Sequence, residues 1–234
     1  EYDLVGPNRD ALEFSTMLEQ EFAFKPGNIV QINNDDATWD HIVQAFLRHL
    51  GQAGPDGVAV FFFSGHGIQV PENGPGIRDE RDGRDEALAV WGGSENSVLF
   101  DDQLRILIDA LPSSRILAVL DACFSGTGTR AQPNGQQQPK RMNFEDIKAS
   151  LAYTDLMPLQ LSNFGREPNS HILLAASAEN EVAFTDPEFG YGLFTRMLVE
   201  EMRRSDNQDS FDSLMDRVSR RTSTRNRYQN PQVE

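Results

Sequence analysis

Two short stretches, FFFSGHG at 61–67 and LDACFSG at 120–126, hold the residue types from which a covalent catalyst is built. Cys123 is the only cysteine in 234 residues. It can form no internal disulfide and no thiolate metal cage, which leaves an inert core residue or a reactive thiol. A thiol becomes a nucleophile when an imidazole or a helix N-terminus stabilises its thiolate. His66, 57 residues upstream, supplies an imidazole, and the glycines beside it, Gly65 and Gly67, let a substrate backbone approach closely. The turn after Cys123 carries Gly126 and Gly128, where backbone N–H groups can face an oxyanion. Small neighbours around a Cys and a His fit an acyl-transfer site.

These two residues are useful only if the fold brings them together. Val58–Phe63 (VAVFFF), Ile116–Leu120 and His171–Ala176 (HILLAA) are short, continuous runs of β-forming residues, apolar on both faces, as in central strands between helix layers. Arg9–Phe22, Trp39–Leu50, Asp102–Leu111, Phe189–Arg203 and Phe211–Arg221 read as helices, with Asp35 or Thr38 available to cap the second. Asn28–Ile32 (NIVQI) reads as a short strand. Strands alternating with helices predict an α/β layered fold with a mostly parallel sheet, in which ligands gather at the carboxyl ends of the strands. His66 and Cys123 each follow such an end, so both are expected on one edge of the sheet. Pro71–Arg84 and Thr127–Pro139, rich in Gly, Pro and charge or in Gln and Pro, read as solvated loops.

The totals exclude several functions. Asp and Glu outnumber Lys and Arg 36 to 21, and the formal net charge of −15 repels nucleic-acid phosphates and anionic lipid. No apolar run approaches the roughly 20 residues that span a bilayer, and the opening EYDLVGPNRD shows no basic and apolar pattern of a signal peptide. No nucleic acid, no membrane and a cytoplasmic location are expected. Arg217–Arg227, with five arginines and no acid, reads as a solvated helix face and tail.

The two signature stretches resemble those of the caspase-like cysteine peptidases, in the form shared by metacaspases and orthocaspases. Further matching segments are LVGPNRDA near the start, DEAL at 85–88, LFDDQL at 99–104, LLAASAENEVAF at 173–184, GLFT at 192–195 and the closing NPQ. DACFSG in place of the Gln-Ala-Cys form points away from true caspases. The resemblance implies a caspase-like three-layer α/β sandwich: residues 1–126 form a large-subunit-like part, 127–170 an intersubunit linker, and 171–234 a small-subunit-like part of the same domain. The family normally opens with an apolar strand ahead of the LVGPNRD-like segment, and Glu1 begins after it.

The implied chemistry is peptide hydrolysis, with Cys123 as nucleophile, His66 moving the proton, and the N–H groups of Gly67 and Cys123 holding the oxyanion. Asp121, two residues before the cysteine, is close enough to line the adjoining pocket. By the same resemblance Asp10 and Ser64 join it in an acidic S1 site for Arg or Lys, and a dehydrated carboxylate pair accepts a cationic side chain well. Peptides or proteins with a basic P1 residue are the expected partners, and a monomer the expected state. The linker offers basic residues to this site, which predicts self-cleavage of a zymogen at Arg141 or Lys140, with Arg130 a further candidate.

Some metacaspases need calcium, through carboxylates that match Asp85, Asp101 and Asp102. The fourth acid of that pattern falls at Arg130, whose cation would oppose the metal, so no cofactor is expected for the chemistry and calcium only as a possible activator. Two rival readings use the same fold without hydrolysis: a catalytically silent caspase-like scaffold, and a calcium-sensing interaction domain.

Overall fold

The computed structural model describes residues 3–71, 83–92, 95–124, 138–142, 171–178, 181–186, 188–205 and 209–233. The elements relevant to the site are helices α1 (Pro7–Glu21) and α2 (Trp39–Arg48), strands β1 (Val58–Ser64), β2 (Gly67–Pro71), β3 (Arg84–Gly92) and β4 (Glu95–Phe100), helix α3 (Asp101–Asp109) and strand β5 (Arg115–Asp121). After these come β6 (Gln138–Pro139), β7 (His171–Ala175), β8 (Phe184–Asp186), β9 (Tyr191–Gly192), helices α4 (Leu193–Arg204) and α5 (Phe211–Arg225), and β10 (Gln232–Val233).

The central sheet has the order β1-β5-β7-β10, with β1, β5 and β7 parallel and β10 antiparallel. Successive residues of a strand point to opposite faces, and β5 shows the consequence. Leu117 and Val119 pack with Phe14, Met17, Leu198 and Val218 of α1, α4 and α5. Ile116, Ala118 and Leu120 pack with Phe46, Leu107 and Ile108 of α2 and α3. The fold is thus a three-layer α/β sandwich, as the resemblance implies, with the mostly parallel sheet that the alternating pattern predicts. A second, antiparallel sheet, β2-β3-β4, and a third, β6-β8-β9, stand at the carboxyl end of the central strands. Among the described residues no helix is long and apolar enough to cross a membrane.

Several expectations need correction. Asn28–Ile32 forms no strand; Asn28 closes a 3-10 turn begun by Pro26, and Ile29 N–H bonds back to the Pro26 carbonyl. Among the described residues β1 is therefore the outer strand of its sheet rather than an inner one. The helix expected from Phe189 begins at Leu193, because Gly190, at φ 65°, turns the chain into β9 first. Gln138 and Pro139, read as part of a solvated loop, pair with β8, while 72–82 and 125–137 lie outside the described residues. Thr38, of the two candidates, caps α2 by accepting from His41 N–H at 3.2 Å. The arginine-rich tail is partly committed: Arg217 and Arg221 of α5 reach Glu201 of α4 at 3.0 and 2.8 Å, and Arg204 joins them at 2.9 Å. Glu201 is only 4% exposed, so this cluster ties α5 to α4.

Leu174 of β7 is fully buried beneath α4 and α5. Leu174→Ala is expected to cost about 2–5 kcal/mol of stability in denaturant unfolding, as large-to-small core changes do.

Candidate functional site

The parallel pairing of β1 with β5 sets Ser64 opposite Asp121. His66 and Cys123 each follow two residues later, so the register brings them to one edge of the sheet. Further bonds fix the two segments. Gly65 N–H donates to the Asp121 carbonyl at 3.3 Å, and Ala89 N–H of β3 to the His66 carbonyl at 2.9 Å. Gly67 lies against the Cys123 backbone so closely that a Cβ there would fall 2.3 Å from the Cys123 carbonyl oxygen. Only glycine allows that approach. Cys123 is fully buried, and its Sγ donates to the Glu181 carbonyl at 3.1 Å.

The three residues expected to line an acidic pocket converge beside this pair. Asp10 comes from α1, Ser64 from the end of β1 and Asp121 from the end of β5. The Ser64 hydroxyl donates to Asp10 Oδ2 at 2.6 Å. Helix α4 aims the two carboxylates: Gly192 N–H donates to Asp10 Oδ1 at 2.7 Å, and Thr195 donates to Asp121 Oδ2 from its backbone at 3.2 Å and its hydroxyl at 2.6 Å. Exposed N–H groups at a helix N-terminus favour negative charge there.

The pocket is filled by the chain itself. Lys140 Nζ, fully buried, lies 2.9 Å from Asp10 Oδ2, 3.0 Å from Asp121 Oδ2 and 2.7 Å from the Ser64 hydroxyl. These contacts use all three N–H groups of the ammonium. Burial alone would draw the lysine's pKa down, but Asp121 and Asp10 more than offset it and hold it above the ordinary value. Burial, with the like charge of Asp121, pushes the Asp10 carboxyl up against the pull of the ammonium. Two acids share one cation, and one of them carries the excess. Asp121 Oδ1, also buried, has no hydrogen-bond partner among the described residues.

The main chain of the same segment is held as firmly. The Lys140 carbonyl accepts from Gly67 N–H at 3.0 Å and Cys123 N–H at 3.1 Å, the two donors expected to face an oxyanion. Lys140 N–H donates to the Ala183 carbonyl and Met142 N–H to the Gly67 carbonyl, both at 2.9 Å. Residues 138–142 thus run through the site as an added strand, with a lysine in the acid pocket. This corrects the expectation that Lys140 sits on an exposed linker. Of the favoured pair, Lys140 enters the pocket and Arg141 follows it, half-buried; Arg130 lies outside the described residues.

The acids matched to a calcium site behave differently. Asp101 opens α3, and loss of solvent, with Asp102 and Asp85 adding like charge, pushes its carboxyl up to about 6. Among the described residues no group of three or more His, Cys, Asp or Glu is placed to hold a metal ion.

The sequence assigns Gly192 and Thr195 no role at the site, although both lie in the matching GLFT segment. A Cβ on Gly192 would fall 2.0 Å from Asp121 Oδ2 and 2.5 Å from Lys140 Nζ, so this glycine is the pocket floor. Gly192→Ala is expected to expel the Lys140 ammonium. With Cys123→Ala present in both proteins so that neither can cut itself, amine-reactive labelling read by peptide mass should modify Lys140 when Gly192→Ala is added and spare it otherwise, with exposed Lys25 labelled in both; equal protection of Lys140 in both would refute the floor.

Comparison with known proteins places this geometry. A model of the caspase domain matches residues 1–234. Metacaspase-1A of Aspergillus oryzae is 30% identical over 132 residues, covering 53% of this chain and 31% of that protein. Metacaspase-1 of Ajellomyces capsulatus is 30% identical over 132 residues, covering 53% of this chain and 36% of its own length. The chain spans about a third of the length of these curated relatives. Among solved structures, a Geobacter sulfurreducens protein superposes with a TM-score of 0.69 at 21% identity, over 98% of this chain and 84% of that one. Caspase-1 of Spodoptera frugiperda gives 0.54 at 13% identity, over 97% and 77%. These two likenesses concern the fold.

Proposed function

Because the chain belongs to the caspase-domain family, we propose that it is a cysteine endopeptidase that cuts after Lys or Arg, and that its first substrate is its own Lys140–Arg141 bond. One observation carries this reading: a single lysine has its ammonium between Asp10 and Asp121 and its carbonyl on the N–H groups of Gly67 and Cys123. A residue held at both ends in this way is bound as a substrate is.

In the proposed reaction the Cys123 sulfur attacks the Lys140 carbonyl carbon, and its proton passes to His66. The carbonyl oxygen takes negative charge between the two N–H donors, which already point at it. Collapse breaks the Lys140–Arg141 bond, and His66 returns the proton to the leaving amine of Arg141. Water then hydrolyses the thioester, freeing the thiol and a carboxylate on Lys140. Withdrawal of residues 138–140 opens the pocket to other chains.

The pocket's charge supports basic P1 residues and opposes acidic ones, since a third carboxylate beside Asp10 and Asp121 would be buried without a cation. Arginine fits the same reading. A guanidinium has five N–H donors to the three of an ammonium, and Asp121 Oδ1 offers an acceptor that Lys140 leaves unused.

Incubated alone, the protein is expected to split between Lys140 and Arg141, seen as two new masses, while Cys123→Ala stays whole. The split protein should hydrolyse fluorogenic peptides ending in Arg or Lys and leave Asp peptides intact. A folded protein that cuts neither itself nor any peptide would favour the scaffold. Chelator is expected to leave the rate unchanged; loss of activity that added calcium restores would return Asp85, Asp101 and Asp102 to the role of ligands.

A further inference from the structure

The closing Asn230-Pro231-Gln232 and the residue before it take no part in the steps above, yet they converge on the carbonyl that holds the sulfur. β10 pairs with β7 through Gln232 opposite Ala175 and Val233 opposite Leu174, which lays the C-terminal segment beside the strand leading to the site. Gln229, fully buried, bridges both ends of the 176–184 segment: its Nε2 donates to the Ala176 carbonyl at 3.1 Å, and its Oε1 accepts from Phe184 N–H at 3.2 Å. Asn230 grips the middle. Its backbone N–H donates to Glu181 Oε2 at 2.8 Å and its side-chain Nδ2 to Oε1 at 2.6 Å. The Ser223 hydroxyl donates to Asn230 Oδ1 at 3.1 Å, which turns the amide nitrogen toward Glu181. The carbonyl of that same Glu181 accepts from Cys123 Sγ at 3.1 Å.

We infer that Asn230, supported by Gln229, is a positioning residue for the nucleophile: through the Glu181 carboxylate it fixes the Glu181 carbonyl, and that carbonyl selects the rotamer of Cys123. A cysteine side chain has three staggered rotamers. Attack requires the sulfur near one carbonyl carbon, and a misplacement of about 1 Å costs about 100-fold in rate. The contact reaches the sulfur through main-chain oxygen, so the side chain of residue 181 is free to serve as the handle. This inference rests on the peptidase reading, and its test separates the two.

Asn230→Asp keeps shape and the bond from Ser223 but sets a carboxylate against Glu181. Adding Glu181→Gln restores a donor facing the new aspartate, with the backbone N–H of residue 230 still able to reach the glutamine oxygen. On the self-processed enzyme, the single variant is expected to lose about 10-fold or more in kcat for a Lys peptide with KM within about twofold. Alkylation of Cys123 by iodoacetamide should rise severalfold, and the double variant should recover both. Ser223→Ala, which only frees the Asn230 amide, should shift both in the same direction by less, and it serves if Asn230→Asp does not fold. Parental kcat and alkylation in the single variant would overturn the inference, as would a double variant whose Tm recovers while kcat and alkylation do not. If the parent cuts no peptide yet its alkylation follows this pattern, the clamp stands and the peptidase reading falls.

Discussion

One buried ammonium shared by two buried carboxylates organises the site. Asp10 and Asp121 are fully buried and would repel each other if both were ionised with no cation between them. Leaving a buried charge without its partner typically costs about 3–5 kcal/mol, so the pocket needs a cation within it. Lys140 provides one from the same chain, and in doing so draws residues 138–142 into the site as a strand. The carbonyl between the Gly67 and Cys123 N–H groups follows from that placement, because the lysine side chain sets where its own backbone lies.

The rest of the fold holds the carboxylates where the ammonium finds them. The β1–β5 register sets Ser64 opposite Asp121, and α1 carries Asp10 to the same spot. Helix α4 closes the arrangement from the other part of the chain: Gly192 N–H holds Asp10, Thr195 holds Asp121, and the missing side chain at Gly192 leaves room for the cation. The Glu201 cluster in turn fastens α4 to α5. Segments up to Cys123 and from Gly192 onward thus build one pocket, and Asn230 reaches the sulfur from behind through Glu181.

Much of this was legible in the sequence, for a reason of scale. His66 and Cys123 follow apolar strands whose pattern is strong, and once those strands are parallel neighbours their carboxyl ends must meet. Asp121 and Ser64 sit within two residues of that pair, so they had to be close. The sequence marks Lys140 as a candidate for cleavage but on an exposed linker, because the Gln- and Pro-rich composition around Gln138 and Pro139 carries no periodic signal of their pairing with β8. Gly192, Thr195, Glu181, Gln229 and Asn230 act through contacts between residues far apart in sequence, and no local pattern marks them. The β2-β3-β4 sheet is hidden in the sequence for a related reason: β2 and β3 flank a charged, glycine-rich stretch that dominates the local composition.

The occupancy of the acid pocket by Lys140 is tested most directly by calorimetric titration of an arginine-containing peptide into Cys123→Ala protein, with and without the added change Lys140→Ala. With the lysine removed, the pocket should bind the peptide, and with it in place the affinity should fall by at least about tenfold, or about 1.4 kcal/mol. Equal affinity in the two proteins would show that Lys140 does not hold the pocket, and the account would fail.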